Sequence, residues 1–309
     1  MPRSHRRREG HKVIGPWPSV RRAAILVAMT TRWIVGVDGS EPSVDALRWA
    51  AEHAAPRDAV LEAVSVFHVP AVLAMMTAKR GLGVDELGLA ATAGHELDLV
   101  IERVAASVPV TALVVEGATG PELVRSAEGA DLLVVGQTGT SDGRFSRLGS
   151  VTRYCATHAP VPVVAVPARG ATHPVGRVVV GFDWSDNAEA ALRWAFEFCR
   201  PEASVRVVCA IEAAPWLGER TTRERLPDEV AAEQSALHSR IAAIDTAGRA
   251  EVMVVFDAPR RALEVAGRDA DLVVVGARGR GRVAAELLGS VSTSLLHGSV
   301  AVAIVPKPE

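Results

Sequence analysis

Short unbroken apolar runs alternate along this chain with longer segments whose apolar positions recur at helical spacing. Trp33–Val37 contains no polar residue, as suits a strand buried on both faces. Ser43–Ala55 then sets Val44, Leu47, Ala50 and Ala51 on one helical face. The same reading predicts strands at Val60–Val69, Val110–Val115, Leu132–Val135 and Val161–Val166. Between them it predicts helices at Glu86–Ala106, Pro121–Ala127 and Gly149–His158. The order then recurs, with strands Val178–Phe182, Val205–Ile211, Val252–Phe256, Leu272–Val275 and Val300–Val305. Its helices are Asn187–Cys199, Glu229–Ile244, Arg260–Gly267 and Gly289–His297. Strands alternating with helices in this way predict a parallel α/β sandwich, made twice. Pro70–Asp85 is irregular and longer than a usual connection, and reads as a mobile flap.

The repetition is visible in the residues themselves. WIVGVDGSEPSVDALRW (Trp33–Trp49) is matched by VVVGFDWSDNAEAALRW (Val178–Trp194), 145 residues later. DLLVVGQTGTSDGRFSRLGSV (Asp131–Val151) is matched by DLVVVGARGRGRVAAELLGSV (Asp271–Val291), 140 residues later. Two matched segments in the same order indicate a duplicated domain, with a period too long for a solenoid. The boundaries read as a first domain at 32–167, a Gly/Pro-bearing linker at 168–176 and a second domain at 177–307.

Composition narrows the class. The 309 residues are 49% hydrophobic and 23% charged, which excludes a disordered chain, and aromatics at 4% leave an aliphatic core. Residues 1–32 hold eight basic side chains against Glu9 alone, whereas the whole chain nets −2. A mildly acidic body behind a basic, disordered leader (1–31) argues against a nucleic-acid partner. Ala23–Met29 is too short for a membrane span or a signal core and lacks a small-x-small cleavage site, so no membrane partner is expected. The start is read as Met1 or Met29. Three cysteines without a CxxC pair fit a reducing, cytoplasmic compartment.

The chemistry lies in a spacing. Each copy carries Gly-x2-Gly-x9-Gly-Ser directly after a buried strand: Gly136, Gly139, Gly149 and Ser150, then Gly276, Gly279, Gly289 and Ser290. Glycine at a strand's carboxyl end permits positive φ and close approach of a ligand to the backbone. Gly-Ser opening a helix presents free N–H groups, a hydroxyl and the positive helix end to an anion, and phosphate is the natural guest. The plainer reading makes the glycines turns and Ser150 and Ser290 helix N-caps. Asp38 and Asp183 close the first strand of each copy. Either they cap the next helix, or they face a ribose, an adenine edge or a metal.

Together the VGVDGSxPSxxALRWA start and the glycine spacing resemble the universal stress protein family in its tandem form, over residues 32–307. The resemblance implies two open five-stranded parallel sheets of order 3-2-1-4-5, of Rossmann-like type. It places a ligand at the switch point beside Asp38 and Gly136, and again beside Asp183 and Gly276. It implies the family's ATP-binding branch, with ATP, with or without Mg2+, as cofactor. Adenine contacts then fall to Val69 and Ile211, and phosphate contacts to the glycine loops with Val151 and Val291. It further implies that the two halves pair through their final strands as an internal pseudo-dimer, and leaves open a homodimer of the whole chain.

The loops differ. Gln137, Thr138, Thr140 and Asp142 in the first stand where Ala277, Arg278, Arg280 and Arg282 stand in the second. The first loop adds Arg144 and Arg147, yet the second is expected to bind an anion more tightly, with Arg278 as its main contact. Gly120-Pro121 approximates the family's Gly-x-Pro after the third strand, whereas the second half has only Ala258-Pro259. Trp49 and Trp194 read as packing residues, His158 and His297 as helix-end dipole partners, and Cys155 and Cys199 as unreactive thiols.

No Walker lysine motif, Ser-Gly-Gly-x-Asp-Ser loop or nucleophile–base pair is present. The expectation is therefore a regulatory stress protein and not an enzyme, with at most weak ATP hydrolysis. An ATP-hydrolysing or ATP-pyrophosphatase-like enzyme and a nucleotide-free interaction scaffold are the rival readings.

Overall fold

The computed structural model describes residues 31–70, 88–139, 148–168, 174–211, 219–245, 248–279 and 288–307, with Val72 and Met75, the side chains of 219–230 excepted. The first half is built from β1 (Arg32–Gly36), α1 (Glu41–Ala54), β2 (Val60–Phe67), α2 (Leu89–Val104), β3 (Val110–Glu116), α3 (Thr119–Ser126), β4 (Leu132–Gly136), α4 (Ser150–His158) and β5 (Val163–Val166). The second repeats it: β6 (Arg177–Gly181), α5 (Asp186–Phe198), β7 (Ser204–Ile211), α6 (Glu219–Ala242), β8 (Ala250–Phe256), α7 (Pro259–Ala266), β9 (Leu272–Gly276), α8 (Ser290–Leu295) and β10 (Ala301–Val305).

Both halves have the expected order, and they join. The strands run β3-β2-β1-β4-β5-β10-β9-β6-β7-β8 in one ten-stranded sheet. Every pairing is parallel except that of β5 with β10, where Val302 faces Ala165, Ala303 faces Val164 and Ile304 faces Val163. An apolar strand edge invites a partner, and here each half supplies the other's. Both of those edges are thereby consumed, so self-association of the whole chain has to use another surface.

Strands this apolar need cover on both faces. On one face α1, α2, α5 and α6 pack a single core that runs through both halves, from Leu97 and Trp49 to Leu192 and Leu237. On the other, α3 and α4 cover the first half and α7 and α8 the second. The strand starts are stitched by the aspartates of the two DLxVVG segments. Asp131 Oδ2 accepts from Arg32 N at 2.7 Å, and Asp271 Oδ2 accepts from Arg177 N at 2.8 Å.

Near the seam the shared core is aromatic. The Phe198 ring lies 4.7 Å from Trp194, 5.9 Å from Trp49 and 6.0 Å from Trp33, all stacked. Arg57 of the first half lies over the same ring at 4.2 Å and donates to the Phe198 carbonyl. Trp49 and Trp194 are thus packing residues, although Trp194 is only partly buried.

Several boundaries moved. β2 ends at Phe67, short of Val69, and α6 begins at Glu219, ahead of the expected Glu229. α8 ends at Leu295, so His297 lies beyond the helix, whereas His158 is the last residue of α4. The leader at 1–30, most of the Pro70–Asp85 segment and linker residues 169–173 lie outside the described residues.

Three outcomes are expected. Phe198→Ala should destabilise the chain by about 3–5 kcal/mol, as a buried aromatic truncation does, and urea unfolding followed by tryptophan fluorescence would measure it. None of the three cysteines forms a disulfide, and all are buried. Burial pushes the Cys155 thiol from the usual 9.0 up to about 12 and Cys199 to about 11. The unfolded chain therefore loses these protons first, and native stability should fall as the pH rises from about 9 towards 12. At pH 8 a thiol reagent should react with all three cysteines promptly only after unfolding.

Candidate functional site

In each half the central strand separates two chain segments that leave for opposite faces of the sheet. β1 pairs with both β2 and β4, and β6 with both β7 and β9. A crevice opens at the carboxyl ends of such strands. Asp38 and Asp183 stand on one lip, and the glycine loops form the other.

The aspartates are not helix caps. Ser40 and Ser185 take that position, each side chain accepting from the backbone three residues on, Ser43 N and Ala188 N. Each serine also donates its hydroxyl to the aspartate, Ser40 to Asp38 Oδ1 at 2.5 Å and Ser185 to Asp183 Oδ1 at 2.6 Å. The other carboxylate oxygen meets the loop. A methyl group on Gly139 would stand 3.2 Å from Asp38 Oδ2, and one on Gly279 would collide with Asp183 Oδ2. Loop and carboxylate are thus in contact in both halves.

Gly136 and Gly276 serve a different purpose from the one expected. Neither has positive φ. A methyl on Gly136 would lie 2.8 Å from the Pro42 carbonyl, and one on Gly276 would lie 2.6 Å from Asn187 Cβ. These glycines let the strand end touch the first turn of the helix that follows the central strand. Asn187 adds a hydrogen bond there, donating to the Arg278 carbonyl at 3.0 Å.

Gly149 and Gly289 are the N-caps of α4 and α8, which makes Ser150 and Ser290 the first helical residues and not caps. The Gly149 amide donates to Gln137 O at 2.9 Å and the Gly289 amide to Ala277 O at 3.0 Å. Three residues further on, the Thr152 hydroxyl donates to Gly136 O at 2.7 Å and the Ser292 hydroxyl to Gly276 O at 2.9 Å. Sequence reasoning passed over both side chains, although the shared Gly-Ser-Val-Thr and Gly-Ser-Val-Ser were a signal. Each loop is pinned to its strand at both ends.

The expected residues converge almost completely. Asp38, Gly136, Gly139, Gly149, Ser150 and Val151 line a first cavity of about 280 Å³, together with Thr138. Asp183, Ile211, Gly276, Arg278, Gly279, Gly289, Ser290 and Val291 line a second of about 1040 Å³. Val69 is the exception. It lies beyond β2, buried, and lines neither cavity. Strand register explains why. Arg32 pairs with Val60 as Arg177 pairs with Ser204, which makes Phe67, not Val69, the counterpart of Ile211. Thr140, Asp142, Arg144, Arg147, Arg280 and Arg282 lie outside the described residues.

The second cavity has a mixed lining. Val208, Ala210 and Ile211 of β7, with Leu263 of α7 and Ala232 and Ala236 of α6, are its apolar part. Asp183, Arg278, Gly279 and Ser290 are its polar part. Trp184 and Glu233, absent from the expected set, also line it. In the first half no described residue of α2 lines the cavity. Among the described residues there is no group of three or more His, Cys, Asp or Glu that could hold a metal, and no helix is long and apolar enough to cross a membrane.

This architecture defines a duplicated, doubly wound α/β protein with a crevice at each switch point. Residues 29–167 and again 174–306 match the Universal stress protein family, and the chain belongs to it. It is 32% identical over 288 residues to Universal stress protein Rv2005c of Mycobacterium tuberculosis, covering 89% of this chain and 96% of the relative. It is 28% identical over 308 residues to Universal stress protein Rv1996 of the same organism, covering 89% and 94%. The crystal structure of a universal stress protein from Archaeoglobus fulgidus shares the fold, with a TM-score of 0.63 at 19% identity over 89% of this chain and 96% of that one.

The contacts predict a contrast. Gly276→Ala should destabilise by about 1–3 kcal/mol, because the methyl must displace the Asn187 backbone. Gly289→Ala should be close to neutral, since φ −60° and ψ 150° suit alanine and the nearest atom to its methyl is 3.5 Å away. Denaturant midpoints of the two variants would check it.

Proposed function

We propose that this chain is a cytoplasmic ATP-binding stress protein that responds to nucleotide with at most weak hydrolysis. The single observation that supports the reading is the mixed lining of the second cavity. Its apolar side chains suit a base and its Arg278, glycine and serine groups suit phosphates, within a volume of about 1040 Å³. In that reading Ser290 and the amides that open α8 meet phosphate, Asp183 faces the ribose, and Ile211 packs on the base. Mg2+ enters on the triphosphate.

The two sites are unequal. Arg278 gives the second loop a cation in the cavity where the first has Thr138. A charge-assisted hydrogen bond to phosphate is worth about 1.5–3 kcal/mol, which is roughly tenfold or more in affinity. Calorimetric titration of ATP should therefore show a much larger loss for Arg278→Ala than for Thr138→Ala. Gly289→Ala, which leaves the fold in place, should also weaken binding. Equal losses from the two side-chain variants would mean that the backbone sets affinity. Denaturing the purified protein should release adenine nucleotide, and a kcat on ATP in the ordinary range of ~1–10³ s⁻¹ would replace this reading with an enzymatic one.

A further inference from the structure

The second cavity has a wall that the first lacks. Among the described residues only Asp58, Ala105 and Trp184 combine a side chain with positive φ, and Trp184, at φ 66°, is by far the bulkiest. Its counterpart in the first half is Gly39, at φ 79°. A left-handed backbone is easy for glycine and costly for an indole-bearing residue, so other contacts must hold Trp184 there.

Those contacts are present. The Trp184 Nε1–H donates to Glu233 Oε1 of α6 at 2.6 Å, tying the β6–α5 turn to a helix 49 residues further on. Phe182 meets the indole edge-on, with ring centroids 5.6 Å apart. The ring is thus fixed at its polar edge and on one side. It is only partly buried, and it lines the cavity together with Ile211, Ala232 and Ala236. In the first half Gly39 is exposed, and a methyl there would meet nothing within 4 Å.

We infer that Trp184, locked by Glu233, is the specificity-determining residue of the second site: a flat, preorganised platform for the planar base of a nucleotide, which makes that site select a base-bearing ligand over bare polyphosphate. This rests on the nucleotide reading above and assigns to one residue the recognition of the base. Base–aromatic stacking tolerates many bases because each has a π-face, so Trp184 selects for the presence of a base more than for its identity. Glu233 contributes by position. Without its carboxylate the indole N–H loses its partner and the ring is free to turn.

The test uses the full-length protein and two probes, ATP and inorganic tripolyphosphate, titrated by calorimetry. Trp184→Gly relieves the backbone and copies the residue at position 39, so folding is not the obstacle; Trp184→Phe keeps a ring. In the tighter class of sites, Trp184→Gly should lower ATP affinity roughly tenfold and leave tripolyphosphate unchanged. Trp184→Phe should retain most of the ATP affinity, and Glu233→Ala should fall between. Equal losses for ATP and tripolyphosphate would show that Trp184 merely shapes the loop, and the inference would be wrong. It would also be wrong if Trp184→Gly bound ATP as tightly as the native protein does. In either case nucleotide binding itself would stand. A native protein that bound neither probe would overturn both readings together.

Discussion

The crevices exist because the sheet reverses its direction of winding at β1 and again at β6. From β1 the chain builds outward through β2 and β3, then returns to lay β4 and β5 on the other side. The helices that follow β1 and β4 therefore cover opposite faces, and the turns leading into them must part. What limits that parting is one backbone contact. Gly136 lies against Pro42 and Gly276 against Asn187, at a spacing that no side chain could enter. Around this contact the Asp–Ser turn and the glycine loop are held within reach of each other. The pinning hydrogen bonds from Gly149, Gly289, Thr152 and Ser292 fix the loop's ends to the same strand.

Duplication has kept the backbone pattern and released the side chains. Both halves retain the Asp–Ser hydrogen bonds, the amide-to-carbonyl link at the loop's end and the hydroxyl anchor, all at similar lengths. The differences lie in what lines the space: Thr138 against Arg278, Gly39 against Trp184, and an α6 wall with no described α2 equivalent. The antiparallel β5–β10 seam makes such divergence tolerable, since each half is stabilised by the core they share. One residue of the first loop even belongs to that seam. Gln137 is almost fully buried and donates from Nε2 to Val300 O at 3.0 Å, just before β10. Its counterpart in the second loop, Ala277, has no side-chain donor to return the contact.

The parts legible in the sequence are those set by short-range pattern. Fully apolar strands such as Leu132–Gly136 announce burial on both faces, and alternation with helices implies parallel pairing. The repeated glycine spacing and the resemblance it carries located nearly all the residues that converge. What escaped depends on contacts distant in sequence. The reason for Gly136 lies at Pro42, and the partner of Trp184 lies at Glu233. Val69 was misplaced because an apolar run gives no sign of where pairing stops. Phe67 ends β2 and pairs with Glu116, and the chain turns away before Val69. The start of α6 was set too late, since its first turns carry Arg and Glu and show no apolar face to read.

A site framed by main-chain contacts constrains its own evolution in a particular way. Replacing Gly136 or Gly276 strikes the helix packed against the strand end, so such changes act on the fold before they act on a ligand. Positions 138, 278 and 184 carry side chains into the cavities while leaving the frame intact. Trp184 shows how far this freedom extends. A bulky residue occupies a left-handed position natural to glycine, and it is stable there because Glu233 and Phe182 each satisfy one part of the ring. Ligand preference can therefore change in one half without disturbing the other, whereas the close approach of strand end to helix turn that frames each crevice is the same in both.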